Sequence, residues 1–332
     1  MQRVKRATAV VALPAAPAGG VPGYFAAPNP QGGVPATVPG YEWYNGMQEE
    51  VMAVVEGQGI VPSANDNTQL RQAIQAMVAS PPFPFGLKIG LSISNSLANP
   101  NTQIDIAPGV ARSAANNFNM VLPNIWTKTL QSAGAWAAGT NQSGLFSGVR
   151  AANTWYHVFL IRKTTTGEID AGFDTSITAA NIPAGYSAYR RIGSIKTDVS
   201  NGILGFIQLG NEFFWKASVL DLNLSTSSTI AALLTASVPP GLKVKIRNIS
   251  HITTFGAGSL IFRFSDPDGP DLLATYNNTQ LQSTGFASTP GEPCVTTFEC
   301  FTNSSGQIRY VCNQAYTGIT FYITTTGWTD YL

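Results

Sequence analysis

Chemistry in this chain would have to come from few residues. Two histidines, His157 and His251, and three cysteines, Cys294, Cys300 and Cys312, are its only imidazoles and thiols. No Cys-x-x-Cys occurs and no histidine lies near the thiols, so no zinc signature is present. The odd count leaves one disulfide open, with buried free thiols the expected state. Each histidine falls inside an apolar strand pattern with no Gly-x-Ser-x-Gly elbow, so both read as core or rim side chains rather than as bases of a nucleophilic site. Glu168 and Asp170 are two apart on a strand, with Asp174 nearby, and cleaving a polysaccharide needs such a carboxylate pair. That pair flanks a turn at Gly167 in a chain with only 18 acidic residues, which favours a solvated turn. Asp266, Asp268 and Asp271 surround Gly269 as oxygen ligands of a hard cation would. Pro267 and Pro270 break the loop spacing and no Glu closes it, so a tight β-turn is expected there. Gly256-x-Gly258 lacks a following helix and is no nucleotide site. No catalytic residue, metal or cofactor is expected.

The chain ends in aromatics: Tyr310, Tyr316, Phe321, Tyr322, Trp328 and Tyr331. Aromatic faces hold sugars by stacking, with Asn, Gln and Thr supplying hydrogen bonds. Trp328 and Tyr331, flanked by Thr and Asp near the terminus, are expected as receptor contacts together with Tyr316.

These residues must be positioned by strands. From Phe85 onward, Leu87, Ile89, Leu91 and Ile93 alternate with small or polar residues, as one buried sheet face requires. Ile104 and Ile106 repeat the pattern before Pro108-Gly109. The run from Trp155 to Ile161 is apolar on both faces and reads as a central strand. Further strands are expected at 169–173, 189–196, 203–209 and 212–217, separated by turns that include Asn201-Gly202, a hairpin signal. A Ser/Thr cluster at 224–228 reads as a linker, and 229–236 as a short helix or a strand. A second β region then follows, with strands at 243–249, 259–264, 295–301, 308–313 and 319–325. Strands so regular, without helices between them, argue for a sandwich or jelly roll.

The exception to β patterning is the segment from Tyr41 to Val78. Trp43, Met47, Val51, Val54 and Val55 fall on one helical stripe that Gly57 and Gly59 terminate. Asp66 and Gln69 form a capping box for a second helix carrying Leu70, Ala73, Ile74, Met77 and Val78, with Pro81-Pro82 as its stop. Helices this short need a partner for their apolar faces. Residues 1–40, rich in Pro and Gly, read as an extended arm whose Tyr24 and Phe25 could plug pockets on another protein.

The helical segment also carries a resemblance. Glu42, Trp43, Asn45, Gln48, Glu49 and Glu50, then Gly59 and Ile60, then Thr68, Gln69, Leu70, Ala73 and Ile74 resemble the N-terminal helices of tailed-bacteriophage tail fibres and tailspikes. Gly46 stands where a helix former is usual and costs about 1 kcal/mol relative to Ala. Downstream, 104–109, 154–161, 172–176, 182–186 and 189–195 are similar to a β domain that recurs in phage tail proteins. The likeness covers roughly residues 41 to 221 and consists of fold motifs that imply no chemistry.

Composition narrows the alternatives. Charged residues make up 11% of the 332 and hydrophobic residues 44%, so the polar surface must come from Ser, Thr, Asn and Gln. That balance suits β-rich oligomers rather than a charged cytosolic monomer. A formal net charge of +1 offers no field for nucleic acid, and no apolar run reaches the roughly 20 residues of a membrane helix. The basic start at Arg3, Lys5 and Arg6 precedes an Ala-rich run broken by Pro14 and Pro17, so no secretory signal peptide is expected.

The expected fold is mainly β. An extended arm (1–40) and a short helical segment (41–80) precede two β-sandwich or jelly-roll-like domains (85–223 and 229–332). The resemblance implies a homotrimeric, non-enzymatic tail fibre or receptor-binding protein of the phage virion. Tyr24, Phe25 and Trp43 would dock it to other tail proteins. Met47, Val51, Val54, Val55, Leu70, Ile74 and Met77 would form the oligomer interface. The C-terminal β domain would meet a host surface glycan or protein. A tailspike depolymerase and a purely structural head-fibre or collar protein are the alternatives. Apolar stripes alone demand only some partner.

Overall fold

A computed structural model describes residues 3–15, 17–19, 23–79, 84–254, 260–275, 284–287 and 293–332. The Pro81-Pro82 stop and the Gly256-x-Gly258 pair lie outside the described residues, as do parts of the arm and the first residue of the strand expected at 259–264. The chain divides into two compact units, residues 1–83 and 84–332. Two helices in the first and several sheets in the second make it mainly β.

In the first unit the described part of the arm carries a turn closed by the Ala9 N–H on the Arg6 carbonyl, and a 3-10 turn at Pro30–Gly32 closed by an Asn29–Val34 bridge. The first helix, α1, runs Tyr41–Gly57 and passes through Gly46 unbroken. Its end matches the glycine stop, since Gly59 adopts φ +73°. The second, α2, runs Gln69–Ala79. Asp66 caps it by accepting from the Thr68 N–H at 2.7 Å and the Thr68 hydroxyl at 2.6 Å. Gln69 reaches back to the preceding loop, bonding the Ser63 N–H and the Val61 carbonyl. Met52 and Val55 from α1 and Ala73 from α2 are fully buried. Met52 and Val55 share one face of α1 by their spacing of three, and a small residue at Ala73 suits close helix packing. Val55, expected at an oligomer interface, is therefore covered within a single copy.

The second unit contains five sheets among the described residues. Trp155–Arg162 is the middle strand of an antiparallel three-stranded sheet, between Ala188–Lys196 and Ile169–Asp174, and is buried along its interior as a both-face apolar run should be. Near the start of the unit the expected alternation breaks. Gly90 and Leu91 both take positive φ, splitting the run into Lys88–Gly90 and Ile93–Asn95, so Leu91 and Ile93 are buried while Ile89 is exposed. The Asn201-Gly202 turn forms with Asn201 at φ +65°, and the Asp198 carboxylate accepts from the N–H groups of Ser200 and Gly202.

The largest sheet has the order 206–209, 212–227, 316–329, 245–254, 293–301. A four-stranded sheet, 232–235, 307–312, 260–265 and 284–287, faces it. Between them Phe264 stacks on Phe298 at 3.9 Å and Phe262 on Phe321 at 4.0 Å. The linker expected at 224–228 is strand as far as Ser227, at the far end of the 16-residue strand Glu212–Ser227. Residues 232–235 are strand rather than helix. One apolar core continues from Leu91 to Trp328, so the two β regions share both a sheet and an interior.

Candidate functional site

Two surfaces and three buried polar sites hold the residues with functional potential. On the helical unit, Trp43, Met47, Ile74 and Met77 are between 49% and 56% exposed. Val51, Val54 and Leu70 are half-buried. The hairpin's own core thus takes one side of each helix and leaves a second apolar stripe in water. Because Gly46 has no side chain, that stripe carries a hollow of about 390 Å³ bordered by Trp43, Met47, Glu50 and Val51. Two of the expected docking residues meet: Phe25 packs edge-on against Trp43 at 5.2 Å, while Tyr24 stands free in solvent. The arm is also tied to α1. Arg3 forks to Glu49 at 2.8 Å and Glu56 at 2.6 Å, and those hydrogen bonds hold both carboxyls below their usual range. The Val4 N–H donates to Gln48 Oε1, and the Tyr41 hydroxyl donates to the Ala15 carbonyl.

The C-terminal aromatics separate sharply. Trp328 is 2% exposed, and Tyr331 59%. Trp328 lies parallel to Phe213 at 4.9 Å and against Trp215 at 5.1 Å and Trp155 at 5.6 Å. It is a core residue and not a receptor contact. A bulge explains this. Thr325 and Gly327 pair with the adjacent residues Asn248 and Arg247, so Thr326 is an extra residue that flips the alternation beyond it. Tyr316 is half-buried and packs on the same core, which makes it a poor contact too. Tyr331 remains, with its ring 6.2 Å from that of Phe301.

Sequence reasoning missed the cluster beside this pair. Lys245 is directly opposite Phe301, and Arg247 opposite Glu299, across two antiparallel strands. Glu299 accepts from Arg247 at 3.0 Å and pairs with Lys245, and Arg247 also reaches Glu212 at 3.0 Å. The signal was the spacing: Lys-x-Arg and Glu-x-Phe each place both members on one strand face.

His157 is 1% exposed, its Nδ1 2.9 Å from the Ser194 hydroxyl. Burial, aided by the nearby Arg191 charge, lowers its pKa to about 4. Arg191 donates to Ser194 Oγ and makes a bidentate pair with Asp330 at 2.6 Å for both bonds. A Ser–His contact sealed from solvent admits no substrate, so this network ties the chain's end to the central strands. His251 stacks on Tyr322 at 5.5 Å.

Of the carboxylates near Gly167, Glu168 lies at the expected solvated turn and Asp170 does not. Asp170 is buried against Lys128 at 2.7 Å and accepts from the N–H groups of Gly139 and Ala171. Desolvation lowers the Lys128 pKa against the pull of Asp170. Glu168 lies outside, bonded to Lys163 at 2.7 Å and to the Tyr186 hydroxyl at 3.1 Å. Asp174 accepts from Ser176 and Asn181. In the aspartate turn the Lys243 ammonium sits where a cation would, 2.6 Å from Asp266 and 2.9 Å from Asp268. Among the described residues no group of three or more His, Cys, Asp or Glu could hold a metal. The cysteines are free thiols, and burial pushes Cys300 up to about 12. No helix among the described residues is long and apolar enough to cross a membrane.

No family model matches the chain, and no curated protein matches it. Among solved structures, a Bacillus thuringiensis Cry1Da tryptic core variant aligns with 77% of this chain and 54% of its own at 10% identity. The chain thus spans about half the length of that protein, and the TM-score of 0.18 establishes no common fold.

Proposed function

We propose that this chain is a non-enzymatic attachment protein of a tailed-phage virion, a tail fibre or receptor-binding protein. It assembles as a homotrimer through the helical unit, docks other tail proteins through the arm, and presents the C-terminal β region to a host surface glycan. The observation that carries this reading is the apolar stripe of Trp43, Met47, Ile74 and Met77, which the hairpin core of Met52, Val55 and Ala73 does not cover. Burying a Met or Ile side chain contributes about 1.5–3 kcal/mol, so a stripe repeated around a threefold axis provides a strong driving force for association. The pairing of Asp170 with Lys128 and of Glu168 with Lys163 supports a role without catalysis. The net charge of +1 gives no reason to invoke nucleic acid. Three weak sites held together would supply adhesion by avidity.

Light scattering on the full chain tests the assembly. A trimeric mass is expected, and the double variant Met47→Glu with Ile74→Glu should give monomers whose β unit melts unchanged. A monomeric wild type would overturn the trimer. Host adsorption is tested by competition: purified trimer should block phage binding, and a failure to compete would overturn the adhesion role.

A further inference from the structure

At the end of the largest sheet, a cavity of about 590 Å³ is lined by Lys245, Glu299 and Phe301 from that sheet, Arg263 from the facing sheet, and Asp266 and Leu272 from the loop that follows it. Glu299 also borders a neighbouring hollow of about 500 Å³ that reaches Arg247 and Thr326. The first volume lies within the range of roughly 300–1,000 Å³ typical of small-molecule sites. Phe301 lines the cavity and Tyr331 is 6.2 Å from it, both rings exposed, which offers apolar faces to a ligand's C–H bonds. The polar groups are fixed in place. Glu299 is held by Lys245 on one side and Arg247 on the other, and Asp266 is held by Lys243. Their pKa shifts agree with full ionisation, Glu299 lowered and Lys245 raised by their mutual hydrogen bond.

The balance of charge selects the ligand. Around the cavity Lys243, Lys245, Arg247, Arg263 and Arg309 are matched by Glu212, Asp266, Asp268, Asp271 and Glu299, so the site offers donors and acceptors together and no surplus of either sign. A phosphate or uronate would find its cationic partners already engaged. A neutral polyol with one apolar face would find hydrogen-bonding groups on the wall and a ring to stack on. We propose that this cavity is a binding site for a neutral pyranoside, with Phe301 as the stacking platform and Glu299 as the hydroxyl acceptor. The proposal deepens the attachment reading and rests on it for the source of the sugar, a bacterial surface polysaccharide.

Saturation-transfer NMR on the full chain tests it, with the methyl glycosides of glucose, galactose and mannose and with methyl glucuronide as probes. Transfer to at least one neutral glycoside is expected. Phe301→Ala should weaken it about five- to tenfold. Glu299→Gln should weaken it less, and Val295→Ala, exposed on the same strand, should leave it unchanged. The proposal is overturned by no transfer to any neutral glycoside from folded protein. Transfer that Phe301→Ala leaves intact, or transfer to the glucuronide alone, would also overturn it. Light scattering on the same samples separates the two readings. Phe301-dependent transfer from a monomeric chain would support the cavity and overturn the trimeric fibre, whereas a trimer with Phe301-independent transfer would overturn the cavity and leave attachment standing.

Discussion

The helical unit and the β unit solve opposite problems. In the helical unit apolar side chains outnumber the places that can hide them: Met52, Val55 and Ala73 fill the small interface between two helices, and Trp43, Met47, Ile74 and Met77 are left in water. In the β unit it is polar groups that are enclosed. Lys128, Asp170, His157, Ser194, Asp174 and Asp330 are all buried, and each has a partner. Under the proposed assembly other copies would cover the first arrangement, while the charged pairs of the second are made within one copy and are intolerant of change. Substitutions in the β unit should therefore alter folding, and substitutions on the helical stripe should alter assembly.

The strongest test of that contrast is the Lys128–Asp170 pair. Lys128 packs within 5.0 Å of the Trp136 ring centroid and donates to the Ala137 carbonyl, so both charges are enclosed by fixed structure. Removing one partner leaves the other charge unpaired, and Lys128→Ala should lower stability by about 3–5 kcal/mol in urea unfolding. Lys128→Met combined with Asp170→Leu should recover most of that loss, because the penalty comes from the orphaned charge. A single variant that unfolds at the wild-type midpoint would show that water reaches the pair.

His157 gives the next largest effect, and it is read by pH. Its folded pKa of about 4 lies below the unfolded value of about 6.5, so the unfolded chain binds the proton first as pH falls. Above pH 6.5 this group does not favour either state. Between about 6.5 and 4 stability should drop by roughly 1.4 kcal/mol per pH unit, about 3 kcal/mol in all, and then level off. His157→Gln should flatten that part of the profile while carboxylate titrations remain. An unchanged slope in the variant would place the proton uptake elsewhere.

The same contrast separates what was legible in the sequence from what was not. Helix α1, the central strand 155–162 and most β-strands were readable because periodicity of 3.6 or 2 is a local property. Whether a side chain faces core or solvent depends on register, and register is set by residues far along the chain. Trp328 shows this most clearly. Its flanking Thr and Asp suggested an outward residue, yet the extra residue at Thr326 turns it inward against Phe213. Gly327 is what permits the strands to approach there, since a Cβ would collide with the Phe213 carbonyl. Similarly, the Ser/Thr-rich 224–228 has the composition of a linker, but pairing of Leu224 with Phe321 and Ser227 with Tyr316 keeps it in the sheet. The spacings Lys245-x-Arg247 and Glu299-x-Phe301 are local and readable, but that the two pairs meet is not, since they lie over fifty residues apart and only strand pairing unites them.

The smallest effect is expected where the arm meets α1. Arg3 and its partners Glu49 and Glu56 are exposed, so their hydrogen bonds compete with water and salt and should hold the arm in place without stabilising the hairpin measurably. Arg3→Ala should therefore leave the thermal midpoint of the full chain where it was. Its consequence should be local: the Val4 amide, which donates to Gln48 at 2.8 Å, should exchange with deuterium faster in the variant, and molar salt should produce the same acceleration in the wild type. If Val4 exchange is unaffected by either change, the arm is held by its backbone contacts, such as that between Tyr41 and Ala15, and the ion pairs merely accompany it.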